Sequence, residues 1–187
     1  MVLDLVGPGL TRLAVDGAPT EEAHALGAAV AQAHGRAVHV RAEGFWRPAG
    51  QRFEHGRDDV DDWLHLWLDE SALDREVLRR ALEHGEVVPA IRDPVTERSV
   101  RAVPVPVPEG GLVVVSGSAL LGRGLPFDVT VHLQASAAAL ARRLPDGQQW
   151  LVEALQRYDE ERAPAEGADL VVRVEDPRHP ALVHPSR

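Results

Sequence analysis

The chain has 187 residues, is 44% hydrophobic and carries 20 basic against 29 acidic side chains, a formal net charge of -9. That content fills one core and is short for two. The negative balance speaks against nucleic acid or an anionic membrane as principal partner, and the lack of cysteine removes disulfides, thiol nucleophiles and thiolate zinc sites.

No charged and then apolar leader opens the chain, and no apolar run approaches the roughly 20 residues that span a bilayer. The sequence therefore predicts a single cytoplasmic domain over 1–187, with a core of about 10–177 and an irregular tail of 176–187. A small molecule or a protein partner fits the charge, and a homodimer is compatible with it.

Residues 1–10, with Gly7, Pro8 and Gly9, read as a lead-in. Residues 11–16 form a first strand in which Leu13, Ala14 and Val15 run on without alternation, as expected where both faces are covered. A Gly-Pro break and an alanine-rich helix from about Thr20 to His34, closed by Gly35, follow. Strand, tight loop and helix form the frame of a phosphate-binding loop.

The loop chemistry departs from that frame. Counting from Gly17, the pattern G-x-x-x-x-G-K-[ST] requires glycine, lysine and a hydroxyl at positions 22, 23 and 24, where the chain has Glu22, Ala23 and His24. Glu21 and Glu22 place carboxylates in the first helical turn, where they complement the helix dipole and repel a triphosphate. A helix capped by Thr20 is the plainer reading of this stretch.

Ala37–Arg41 reads as a second strand, with Val38 and Val40 on one face, and its carboxyl end leads into Glu43-Gly-Phe-Trp-Arg-Pro. In open α/β sheets that edge is where ligands bind, although a carboxylate there can equally serve a loop. The acidic run Asp58, Asp59, Asp61 and Asp62 reads as a solvated helix start rather than a cation site. Trp63 and Trp67, four apart, share a helix face that docks on the core or lines a pocket. A second helix follows over about Leu73 to His84, ending at Gly85.

Prolines and alternation make 87–94 and 99–108 a hairpin or edge pair around Asp93-Pro94. Leu112-Val-Val-Val-Ser-Gly, the most apolar run, is the predicted central strand, and Phe127–Leu133 is another. Helices over about Ser136–Leu144 and Trp150–Glu160 are split by Pro145-Asp146-Gly147, and Leu170-Val-Val-Arg-Val supplies the last strand. Helices of this length between strands imply right-handed crossovers and a three-layer α/β fold, with a mostly parallel central sheet flanked by helices and a small edge hairpin. The nine histidines show no metal-ligand spacing, and His179 and His184 fall in the Pro-rich tail. Ser116-Gly-Ser118 lacks the G-x-S-x-G frame of a hydrolase.

This order of pieces resembles the uridine kinase and phosphoribulokinase group of P-loop nucleoside kinases over about residues 10–177. Val15-Asp16-Gly17 stands where that family runs from its first strand into the phosphate loop. Glu43-Gly-Phe-Trp-Arg-Pro is similar to its Asp-x-Phe-Tyr segment, which implies a base role for Glu43 and substrate contacts for Phe45, Trp46 and Arg47. Ile91-Arg-Asp-Pro with Arg98 resembles the nucleoside-binding hairpin, with Arg92 in place of a Tyr, Asp93 matching and Arg98 downstream. Ser116 replaces the glutamate that ends the family's central strand. Ala141-Arg-Arg-Leu-Pro-Asp resembles the arginine-rich lid, with Arg142, Arg143 and Asp146 retained and Pro145 in place of an Arg. Ala168-Asp-Leu-Val-Val matches the closing strand.

The departures collect on the ATP side. Phosphoryl transfer depends on lysine, magnesium and lid arginines, and each lost charge-stabilising donor costs about 100- to 1000-fold in rate. The resemblance thus implies a pseudokinase with a degenerate phosphate loop, no cofactor, no metal and a retained pocket for a nucleoside or another small polar ligand. Two alternatives stand beside it. One is an active kinase using ATP and magnesium with relocated phosphate ligands at Arg12, Arg142 or Arg143. The other is a non-catalytic module whose acidic face engages a protein; a closed cleft beside Glu43 favours it, and an open one lined by Glu43, Trp46, Arg92 and Asp93 favours ligand binding.

Overall fold

The computed structural model describes residues 1–183. After a 3-10 turn over Val2–Leu5, the chain forms β1 (Thr11–Asp16), α1 (Glu21–His34) and β2 (Ala37–Arg41). A 3-10 turn at Ala42–Phe45 leads to the short helices α2 (Ala49–Arg52) and α3 (Val60–His65). One continuous helical run then comprises α4 (Glu70–Leu73), a π-helical stretch (Asp74–Arg79) and α5 (Arg80–His84). Strands β3 (Glu86–Val87), β4 (Val105–Pro106), β5 (Leu112–Gly117) and β6 (Val129–Gln134) follow. Helices α6 (Ala137–Arg143), α7 (Trp150–Arg162) and α8 (Pro164–Gly167) precede β7 (Leu170–Arg173) and β8 (Ala181–Val183).

The main sheet has the order β2-β5-β1-β6-β7-β8. Its first five strands are parallel, and β8 returns antiparallel to β7. Every residue of β5 is buried, which explains its unbroken apolar run: both faces of a central parallel strand are covered. Leu13, Val15, Val114 and Val131 pack with Ala23 and Val30 of α1 on one face. Val113, Val115 and Val40 pack with Leu73, Val77 and Leu78 on the other. These are the three layers that the element order implies.

Helix boundaries follow from caps. Thr20 is extended at the start of α1, though its hydroxyl makes no capping bond there, and Gly35 closes the helix at φ 75°. Asp59 accepts from Asp62 N at 2.9 Å, so the acidic run opens α3 as a capped helix start. Helix α3 ends at His65, which corrects the pairing of Trp63 and Trp67 on one helix face. Asp69, which caps Ala72 N at 2.9 Å, starts the next helical run ahead of Leu73. The tail is also corrected: Ala181–Val183 adds a strand to β7, while His184 lies outside the described residues.

The hairpin forms as the prolines require, with β3 antiparallel to β4 and a bridge from Arg92 to Ser99. It is tied to the turn after β2, because Ile91 N and Arg92 N both donate to Gly44 O, at 3.0 and 3.1 Å. A Cβ at Gly44 would lie 2.8 Å from that of Ala90, so only glycine permits this approach. No helix among the described residues is long and apolar enough to cross a membrane.

Candidate functional site

The carboxyl ends of β1, β2, β5 and β6 converge where the loops after β1 and β2 meet the start of α1. Gly17 N donates to Gly117 O at 3.1 Å, which closes the first loop onto β5. Asp16, fully buried, ties the edge together. Its Oδ1 accepts from Leu120 N at 2.8 Å, and its Oδ2 lies 2.7 Å from His132 Nδ1 and accepts from the Tyr158 hydroxyl at 3.1 Å. Burial and the Asp16 charge push the Tyr158 phenol far above its usual range, so it serves as a neutral donor.

A second buried cluster lies across β5. Ser116 Oγ is 2.7 Å from His24 Nδ1 and 2.7 Å from His39 Nε2, while His24 Nε2 is 3.2 Å from Glu43 Oε1. Glu43 Oε2 is buried without a hydrogen-bond partner. Arg41 Nε stands 3.8 Å from it, and Arg41 Nη2 is engaged by Glu21 at 3.1 Å. Burial, reinforced by the Arg41 charge, lowers the His39 pKa below the usual histidine range.

Beside this cluster opens a cleft of about 730 Å³, bordered by His24, Glu43 and the tip of the hairpin. All four tryptophans of the chain, Trp46, Trp63, Trp67 and Trp150, line it together with Phe53. Trp67 is the hub, edge-on to Trp46 at 5.2 Å, to Phe53 at 5.5 Å and to Trp150 at 6.1 Å. The Arg52 guanidinium lies 5.0, 4.6 and 4.7 Å from the rings of Trp46, Phe53 and Trp67. Its Nε donates to Arg47 O at 2.8 Å and its Nη2 to Glu97 of the hairpin. A neighbouring hollow of about 500 Å³ joins Glu43 to Arg92 and Asp93.

Several residues expected at the site take other roles. Phe45 is fully buried in the core with Val40 and Leu73, because the 3-10 turn rotates it away from the cleft. Arg47 does not border the cleft: it meets Trp67 O through its backbone N–H at 2.8 Å and supplies its carbonyl to Arg52. Asp93 caps its own turn, accepting from Val95 N at 2.8 Å and Thr96 N at 3.0 Å, and these donors hold its carboxyl below the usual range. Arg92 Nη1 donates to Glu97 O at 2.9 Å within the hairpin, and Arg98 is exposed outside both hollows.

On the phosphate side, Ala23 is buried against the sheet. Glu22 pairs with Arg143 Nη1 at 3.0 Å. Burial pushes the Glu22 carboxyl up, but the Thr20 hydroxyl, a backbone N–H and Arg143 outweigh it and leave a net lowering. Arg142 and Asp146 are exposed. Arg12 pairs with Asp128 at 2.7 Å at the amino end of β1, away from the site. Among the described residues no group of three or more His, Cys, Asp or Glu is arranged to hold a metal ion.

No protein-family model matches the chain, and no curated protein matches it. Solved structures do. A possible uridine kinase from Bacillus stearothermophilus superposes with a TM-score of 0.73 at 17% identity, over 91% of this chain and 92% of that one. The chain has the P-loop kinase fold. A candidate fructose transport system kinase from Silicibacter sp. TM1040 gives a TM-score of 0.60 at 24% identity, over 88% and 87% of the two chains. Phosphoribulokinase from Rhodobacter spheroides gives 0.53 at 11% identity, over 97% and 77%. At the helix after β1, two carboxylates, Glu21 and Glu22, occupy the first turn of α1, and the His24 and Ser116 side chains lie 2.7 Å apart.

Proposed function

We propose that the protein is a uridine-kinase-like pseudokinase, which binds a nucleoside or a similar small polar molecule in the aromatic cleft and does not use ATP. The observation that carries the reading is the contrast across a single edge of the sheet. Glu21 and Glu22 cover the helix terminus that would meet phosphates, and an open cleft walled by tryptophans persists beside Glu43. Flat rings on a hydrophobic wall suit a nucleobase, since base–aromatic stacking is worth about 1–3 kcal/mol per base. Glu43 supplies an acceptor for a ligand hydroxyl.

An open cleft at Glu43 is the arrangement expected of ligand binding rather than of a protein-docking module. The active-kinase reading needs free cations at the loop. Arg12 is remote, Arg142 borders neither hollow at the start of α1 and Arg143 is neutralised by Glu22.

The test is a thermal-shift titration of the full chain with uridine, cytidine and Mg-ATP separately. At 100 times the dissociation constant a ligand stabilises the folded state by about 2.7 kcal/mol. A shift with a nucleoside and none with Mg-ATP supports the reading. A shift with Mg-ATP refutes it.

A further inference from the structure

Ser116 Oγ carries one proton and has two histidine nitrogens at 2.7 Å, so the hydroxyl donates to one of them and accepts from the other. Glu43 decides which. As a carboxylate it only accepts, so the His24 nitrogen 3.2 Å from Oε1 bears the hydrogen. In the neutral ring that leaves Nδ1 as acceptor. Ser116 therefore donates to His24 Nδ1, and His39 Nε2–H donates to Ser116. The protons run in one direction along the chain His39, Ser116, His24, Glu43. Helix α1 seats on this chain through Gly27, where a Cβ would lie 2.7 Å from His39 Nε2 and 3.2 Å from Ser116 Cβ.

The consequence falls on Glu43. His24 occupies Oε1, and Oε2 is left buried and unpartnered on a residue that borders the cleft. Arg41 competes for that oxygen from 3.8 Å but is drawn off by Glu21. We propose that His24 is a positioning residue, aligned by Ser116 and His39, which holds Glu43 so that Oε2 is reserved for a hydrogen-bond donor on a neutral ligand, a hydroxyl or an amino group. Two of the positions where the sequence departs from a phosphate loop and its partner strand, His24 and Ser116, thus form one device that orients the base-side carboxylate without a metal. This rests on the reading of the cleft as a ligand site, and the experiment separates the two.

The first measurement is a long-range 15N–1H correlation spectrum of the ligand-free, 15N-labelled full chain. It should show His24 protonated at Nε2 and bare at Nδ1, with His39 protonated at Nε2. A proton on His24 Nδ1 overturns the proposal. The second is uridine affinity in variants. His24→Gln keeps an N–H toward Glu43 and should bind within about threefold of the unaltered protein, whereas His24→Leu frees Glu43 to swing to Arg41 and should bind about tenfold more weakly or worse. Equal losses in both variants, or no loss in either, overturn the positioning role. If the unaltered chain binds neither uridine nor cytidine, the ligand reading of the cleft fails, and the spectrum alone still decides for or against the proton chain.

Discussion

Replacing Asp16 by alanine removes the acceptor of three buried donors at once: Leu120 N–H, the His132 ring and the Tyr158 hydroxyl. The Tyr158 hydroxyl keeps Leu121 O at 3.3 Å, but Leu120 N–H and the His132 ring are left without a partner at about 1–3 kcal/mol each, while removal of the buried carboxylate returns part of its own desolvation penalty. The net loss expected for Asp16→Ala is therefore about 3–5 kcal/mol, in the range typical of breaking a buried pair. For a chain of this length each kcal/mol lowers Tm by about 2–4 °C, so the drop should be roughly 6–20 °C. Urea unfolding followed by tryptophan fluorescence and far-ultraviolet circular dichroism should show a lower midpoint with an unchanged slope. Asp128→Ala, at the other end of β1, removes a partner of Arg12 whose own side chain is 39% exposed, and should cost about 1 kcal/mol or less. A loss below about 1 kcal/mol for Asp16→Ala, or parity between the two variants, would refute the assignment of Asp16 as the tie at the sheet edge.

Other outcomes follow from the same geometry. Because burial and neighbouring charge lower the His39 pKa, the unfolded chain takes up this proton first as pH falls. The stabilising difference is complete above about pH 6.5 and is lost as pH falls below it, and His39→Gln, which keeps a donor for Ser116 but cannot titrate, should flatten the decline between about pH 7 and 5; an unchanged slope contradicts this. Gly27→Ala should destabilise by about 1 kcal/mol or more despite alanine's better helix propensity, since its Cβ would displace His39, and a more stable variant would refute the seating of α1 on the His39–Ser116 bond. Arg52→Ala should cost about 2–4 kcal/mol and alter the tryptophan emission, because it empties the space between three rings and orphans Glu97; a neutral effect in chemical unfolding contradicts it.

The layers of the fold were legible because they rest on local patterns. Continuous apolar runs marked β1 and β5, glycines marked the ends of α1 and α5, and prolines confined β3 and β4 to an edge. Strand β8 escaped notice because three residues in a polar, Pro-rich tail are fixed by backbone pairing with β7, which leaves no hydrophobic period. At the site, Glu43 was legible from its place at the carboxyl end of β2. The cluster behind it was not, because Ser116 meets His24 and His39 across 92 and 77 residues of sequence. Its faint signal was a glycine, Gly27, inside an alanine-rich helix. Phe45 and Asp93 match the family's segments, yet one is turned into the core and the other is spent on its own turn. The aromatic cleft was hidden in the same way: four tryptophans from three separate stretches become neighbours only after folding.

Turnover with Mg-ATP and saturating uridine or cytidine bears most directly on the central claim, that the phosphate side of this site is dismantled while its ligand cleft is kept. The account predicts no phosphorylated nucleoside above the uncatalysed background. Formation of uridine or cytidine monophosphate at about 1–100 per second, the usual range for kinases, would contradict it.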